Sequence, residues 1–278
     1  MKKFPIFLLA GRDKERREIM EVFDPEKKYK SKCQLELLGK PVIQWVIDEL
    51  EKSQFVDQIY VLGLTKEDLK LEGALEYIPV DYDSEVFDKI KTGFEYLKSK
   101  GKFNEMAVMC SADIPAVTVK SIDYFLKITS EKQHLDFLWG LVPIELAEAE
   151  FGDNHGRTVG RLKDYSLFPG DMFALNYNAI VIGEKTIRNL SDNRRKRSFW
   201  SAAFLVARRP RTWRHLIKFL LKIGTTKDGI KLFEKAFKCK ADIVIVEELG
   251  YGYDMDLLVD YERLRKYVAK TKNIPLDS

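Results

Sequence analysis

Cysteine and histidine are both scarce in these 278 residues, with three of each. Cys33, Cys110 and Cys239 are odd in number, far apart and form no Cys-x-x-Cys pair. That excludes a disulfide framework and a cysteine-based zinc site, and it fits a reducing compartment. His134, His155 and His215 stand in no pattern that suits a catalytic base, and read as surface or core-edge residues. No apolar run approaches the ~20 residues needed to cross a bilayer. The opening Met1-Lys2-Lys3-Phe4-Pro5 leads into a short apolar run with no small-residue cleavage site, unlike a secretory leader. A cytoplasmic location is expected, with association at a membrane surface left open. Internal repeats and low-complexity tracts are also missing.

What is present describes a globular chain. Hydrophobic residues make up 45% and aromatics 12%, well above a disordered composition. The length exceeds the common domain size of ~100–150 residues but suits one large α/β unit spanning residues 1–278. The net charge of +4 is unevenly spread. Eleven of the 47 basic residues, and no acidic one, lie between Asn193 and Lys227, which leaves 36 basic against 43 acidic elsewhere, a balance of −7. The basicity therefore belongs to one surface.

Phe4-Pro5-Ile6-Phe7-Leu8-Leu9-Ala10-Gly11 is a continuous apolar run stopped by glycine, as in a strand buried on both faces. The polar stretch 12–32 reads as a long loop with room for one short helix; a loop this long is usually functional. Apolar residues at 42, 43, 46, 47 and 50 form a helical stripe behind Lys40-Pro41. A second strand is expected over 57–64, a helix over 84–98, and a third strand over 106–110. A helix over 119–128 follows, with Thr118 as its N-cap. Strands are expected at 137–143, 172–182 and 241–246, helices through most of 194–237, and a last helix at 258–270. This alternation implies a mostly parallel sheet covered on both faces.

Three polar features fall at the carboxyl ends of expected strands, the edge where open α/β sheets bind ligands. After the first strand, Leu9-Ala10-Gly11-Arg12 offers main-chain N–H groups to a phosphate without an obstructing side chain, or else is a plain chain reversal. Asp113 follows the third strand directly, where a carboxylate holds Mg²⁺ or caps the next turn. Asp254 and Asp256 are two apart, so both point to one side if the segment is extended.

Taken in order, these segments resemble the MobA-like nucleotidyltransferase superfamily, which includes molybdenum-cofactor guanylyltransferase and sugar-phosphate nucleotidyltransferases. Lys32-Cys33-Gln34-Leu35-Glu36-Leu37-Leu38-Gly39-Lys40-Pro41 reproduces the family's spacing from a lysine to its Gly-Lys-Pro. Cys110-Ser111-Ala112-Asp113-Ile114-Pro115 resembles its strand ending in Asp-x-Pro, and Asp254-Met255-Asp256 with Asp260-Tyr261 its closing motif. The resemblance spans almost the whole chain. It implies a Rossmann-like, glycosyltransferase-A-type fold in which Leu9, Ala10, Gly11, Arg12, Lys32 and Ser84 face a nucleoside triphosphate. Lys32, Arg12 and Asp113 would be catalytic, and Asp113 and Asp256 would hold Mg²⁺. The second loop glycine of the family is Arg12 here, and its Thr-Pro is Leu257-Leu258.

The stretch Arg157-Thr158-Val159-Gly160-Arg161, followed by Pro169-Gly170-Asp171, resembles the acceptor side of a subset of that family, with Asp171 in place of asparagine. Arg157, Arg161 and Asp171 are thus expected at an acceptor phosphate, unless the stretch is a solvated polar loop. The implied reaction transfers a nucleoside monophosphate to a phosphorylated acceptor, a sugar phosphate or lipid precursor, with release of pyrophosphate. A nucleotide-sugar glycosyltransferase and a non-catalytic nucleotide-binding module are the alternatives.

The basic helical subdomain at about 190–238 carries Arg194-Arg195-Lys196-Arg197 and an amphipathic stretch with aromatics. It reads as a packed subdomain with a solvated basic face, or as a peripheral membrane contact through 194–222. Nucleic acid is disfavoured for want of a binding motif.

Overall fold

The computed structural model describes residues 2–11, 16–81, 84–102, 106–153, 157, 159–184, 213, 217–218, 221 and 223–276. An eight-stranded mixed sheet forms its centre. The strands are β1 (Phe4–Leu9), β4 (Val56–Leu62), β5 (Leu75–Ile78), β6 (Ala107–Ser111), β7 (Phe137–Pro143), β8 (Gly160–Arg161), β9 (Ser166–Leu175) and β10 (Ala241–Ile245). A separate hairpin pairs β2 (Glu36–Leu37) with β3 (Lys40–Pro41). The sheet order is β10-β7-β9-β6-β1-β4-β5, with β8 on β9. Strands β1, β4, β5 and β6 run parallel, and so do β7 and β10, while β9 runs antiparallel between β6 and β7.

Side-chain alternation along β1 sets the two layers. Phe4, Ile6 and Leu8 join one core cluster with α2 (Val42–Glu51), α4 (Val119–Glu131) and α7 (Leu258–Lys272). Phe7 points the other way and packs with Phe87, Ile90 and Phe94 of α3 (Val86–Ser99). Each such side chain, fully buried, contributes ~1.5–3 kcal/mol. The sheet is thus covered on both faces, as expected. Two more helices, α1 (Glu18–Phe23) and α5 (Ile144–Phe151), lie beside it, and α6 (Thr226–Phe237) precedes β10.

Register brings the functional turns to one edge. Leu9 pairs with Leu62 on one side and Ser111 on the other, so the turns after β1, β4 and β6 emerge together. Thr118 caps α4 as expected, its hydroxyl accepting from the Ser121 N–H at 3.2 Å.

Two expectations need correction. The strand expected over 172–182 begins at Ser166 and ends at Leu175, and residues 177–184 are helical. Pro169-Gly170 hides its first half, because proline sits in a sheet only at an edge or irregularity. Here Pro169 faces Leu141 beside a register shift. At the other end the Asn176 side chain accepts from the Ala179 N–H at 3.0 Å, capping the helical turn. The polar stretch expected after 143 contains α5, bounded by Pro143 and by Gly152 at φ +81°. The basic stretch 194–222 lies outside the described residues except for Trp213, Ile217, Lys218 and Leu221. No helix among the described residues is long and apolar enough to cross a membrane.

Candidate active site

The Ala10-Gly11 segment that leaves β1 is braced by two hydrogen bonds. Ala10 donates to the Leu62 carbonyl at 2.9 Å, and the Ser31 hydroxyl donates to the Gly11 carbonyl at 2.9 Å. Cys33 is buried beneath the same turn, and burial pushes its thiol up to about 12. Ser31 and Cys33 flank Lys32 at the start of a short 3-10 helix, Lys32–Gln34, so anchoring both neighbours aims Lys32 into the cleft. Gly63, at φ +112°, approaches the turn from the next strand, where a Cβ would stand 2.7 Å from the Gly11 nitrogen.

Asp113 and the 254–256 segment are joined directly. The Met255 N–H donates to the Asp113 carbonyl at 3.0 Å, and the Met255 side chain is fully buried. In that extended stretch Asp254 and Asp256 turn to the opposite side from Met255, toward Asp113. Carboxylate oxygens of Asp113, Asp254 and Asp256 all lie within 4.8 Å of one another. Asp260 fixes the following turn, accepting from the Leu257 N–H at 2.8 Å and the Asp256 N–H at 3.2 Å.

Lys32 stands among these carboxylates. Its ammonium is 2.6 Å from Asp113 Oδ2 and also donates to Asp256 Oδ1. Burial works against that charge, but Asp113 and Asp256 outweigh it and hold the lysine above its ordinary range. Burial would likewise raise Asp256, yet the charges of Lys32 and Arg17 win and hold it low. Asp254 goes the other way: burial and then the charge of Asp113 push it up to about 6. Asp171, on β9, is pushed well above the carboxylate range by burial, Asp254 and Asp113.

Three hard oxygen donors this close, with a cation already drawn between them, suit Mg²⁺, which binds through a few carboxylates and keeps sites for water and phosphate. Asp113 and Asp256 were expected there; Asp254 completes the set. Lys32, Asp113 and Asp256 therefore converge, and Leu9, Ala10 and Gly11 line the neighbouring turn. Ser84 stands before α3, its hydroxyl donating to the Asp81 carbonyl at 2.5 Å. Arg161 is exposed on β8. Arg157 is mostly buried against the 252–260 segment. Arg12 lies outside the described residues.

Two residues escaped sequence reasoning. Arg17 reaches Asp256 Oδ2 from the start of α1, and only its place in the charged loop hinted at a role. Lys89 sits on the buried face of α3, 3% exposed, with its ammonium 2.3 Å from where a Gly11 Cβ would be. A lysine among the apolar stripe residues 86, 87, 90 and 94 was the available signal.

No protein-family model matches the chain, and no curated protein does. Its fold is Rossmann-like and is shared with solved structures over almost the whole chain. A hypothetical transferase from Thermus thermophilus is 18% identical, with a TM-score of 0.72 over 94% of this chain and 100% of that one. A CMP:2-keto-3-deoxy-manno-octonic acid synthetase complexed with CTP is 13% identical, with a TM-score of 0.57 over 98% of this chain and 100% of that one. At these identities the likeness establishes the fold.

Proposed function

We propose that the protein is a Mg²⁺-dependent nucleotidyltransferase that moves a nucleoside monophosphate from a triphosphate to an anionic acceptor. The observation that carries this reading is the Lys32 ammonium held among Asp113, Asp254 and Asp256 beside the Ala10-Gly11 turn. A sheet edge with a glycine turn, a directed lysine and three carboxylates supplies what phosphoryl chemistry needs, namely positioning and charge neutralisation. That the CTP-bound synthetase shares the fold supports a triphosphate donor.

In the reaction, an acceptor phosphate oxygen attacks the α-phosphorus of the triphosphate. A new P–O bond forms as the bond between the α-phosphorus and its bridging oxygen to the β-phosphate breaks, and pyrophosphate leaves with that electron pair. The Gly11 main-chain N–H meets a phosphate oxygen, and Lys32 and Arg12 neutralise the leaving pyrophosphate. Asp113, Asp254 and Asp256 would hold Mg²⁺, which when bound screens the charge on phosphate oxygens. An ionised phosphate acceptor carries no proton to remove, which fits a sequence with only three histidines. Arg161 and Asp171 would meet the acceptor.

A thermal-shift panel of ATP, GTP, CTP and UTP, each with and without Mg²⁺, tests this reading. A triphosphate at ~100 times its Kd adds about 2.7 kcal/mol, a rise of several degrees. One triphosphate should stabilise the wild type only with Mg²⁺ and should lose the effect in Asp113→Ala. Stabilisation by a nucleotide sugar and by no triphosphate would overturn the proposal.

A further inference from the structure

Arg157 lies behind the carboxylates rather than in front of them, and every polar contact it makes among the described residues is to the 252–260 segment. Its Nη1 is paired with Asp254 Oδ1 and reaches the Gly252 carbonyl at 3.4 Å. Its Nη2 donates to the Asp254 carbonyl at 2.9 Å and stands 3.7 Å from Asp260 Oδ1. The guanidinium carbon lies 3.7 Å from the centre of the Tyr253 ring, so the group is stacked as well as bonded. Its Nε is buried and without a hydrogen-bond partner among the described residues, so it is closed to a ligand from solvent. A guanidinium gripping an acceptor phosphate presents two N–H groups outward. Here both Nη atoms face the 252–260 segment.

We infer that Arg157 is a positioning residue that makes Asp254 the third carboxylate of the cation site. The inference rests on the nucleotidyltransferase reading and deepens it. Asp254 and Asp113 have oxygens within 4.8 Å, and two like charges at that distance repel. Without an opposing charge behind it, the Asp254 side chain would turn from the cluster. Arg157 supplies that charge, and its second bond, to the Asp254 main chain, fixes the direction from which the carboxylate points. Because it also stands beside Asp260, which anchors the Asp256 and Leu257 N–H groups, it spans both ends of the acidic turn. It acts through Asp254 and touches no reacting atom.

The test is a double-mutant cycle in the full chain with Arg157→Gln, Asp254→Asn and the pair. Mn²⁺ is titrated by paramagnetic resonance at saturating CTP, or whichever triphosphate the panel selects, and triphosphate binding in EDTA is measured alongside. In Arg157→Gln, Mn²⁺ affinity should fall tenfold or more while metal-free triphosphate binding stays within twofold. In the Asp254→Asn background the same substitution should change Mn²⁺ affinity by less than twofold. If Arg157→Gln fails to fold, Arg157→Lys keeps the charge without the fork and should lose Mn²⁺ affinity three- to tenfold. Unchanged Mn²⁺ affinity in the folded variant, or an equal loss in both backgrounds, overturns the inference and leaves the nucleotidyltransferase reading standing. A wild type that binds no Mn²⁺ with any triphosphate overturns that reading first, and the inference with it.

Discussion

The Lys32 ammonium lies 2.6 Å from the Asp113 carboxylate, so a lysine neutralises the acids that would hold a metal. In the proposed reaction the same lysine is the cation that meets the triphosphate. Replacing it with methionine separates these two roles. Triphosphate affinity should fall ~10- to 100-fold, the worth of one charge-assisted contact. Mn²⁺ binding without nucleotide should tighten, because the competing ammonium is gone. Calorimetric titration of each ligand alone checks both, and weaker Mn²⁺ binding in Lys32→Met would count against the arrangement.

Asp254 makes the ligand-free stability pH-dependent in a definite direction. Its folded value of about 6 lies above the unfolded carboxylate value of ~3.9, so folding favours its protonated form. The folded state therefore loses stability through this group as pH rises from ~4 through 6. Beyond the pH-independent loss of the Arg157 pair, Asp254→Asn should gain about 2 kcal/mol on the wild type between pH 4 and pH 7. Melting temperatures of both proteins in EDTA, taken across that range, measure it. A difference independent of pH would show that Asp254 is not held this way.

Gly63 and Gly11 are both tight, but for different reasons. A Cβ on Gly11 meets the end of the Lys89 side chain, which is able to move, whereas one on Gly63 meets the Gly11 main chain at φ +112°. Gly63→Ala should cost ~1–3 kcal/mol and weaken triphosphate binding by displacing the turn. Gly11→Ala should cost less. Denaturant unfolding of the two variants gives the order.

Much of the site was readable because its chemistry is local in sequence. The glycine after the apolar run 4–9, Asp113 straight after β6, and Lys32 eight residues before Lys40 each mark a place in the fold. What stayed hidden depends on distant pairing. The start of β9 is masked by Pro169-Gly170, which is tolerated only because it faces the register shift in β7. Gly140 and Gly170 serve a similar distant purpose: a Cβ on either would strike the buried Tyr251 ring or hydroxyl. Arg17 comes from a loop whose approach to the cleft no local pattern reveals, and Lys89 was marked only by its place in an apolar stripe. Arg157 suited an acceptor phosphate by type and spacing, and only the fold shows it turned against Asp254.

Gly250 joins the closing motif to the Asp113 turn. A Cβ there would lie 2.0 Å from the Ala116 carbonyl oxygen. Gly250→Ala should therefore force the 249–256 segment away from residues 113–117, lowering Mn²⁺ affinity and costing ~1–3 kcal/mol. Mn²⁺ titration at saturating triphosphate, with a melting curve on the same sample, tests it. Affinity equal to wild type would show the two turns to be independent.

In the proposed reaction Asp113, Asp254 and Asp256 hold a divalent cation against the α-phosphate of a triphosphate. Phosphorus NMR of the bound triphosphate, with Mn²⁺ added in small amounts, tests it most directly. In the wild type the α-phosphorus signal should broaden strongly. That broadening should be lost in Asp113→Asn/Asp256→Asn, measured at triphosphate concentrations that still saturate the variant. Equal α-phosphorus broadening in both proteins would place the cation elsewhere and contradict the account.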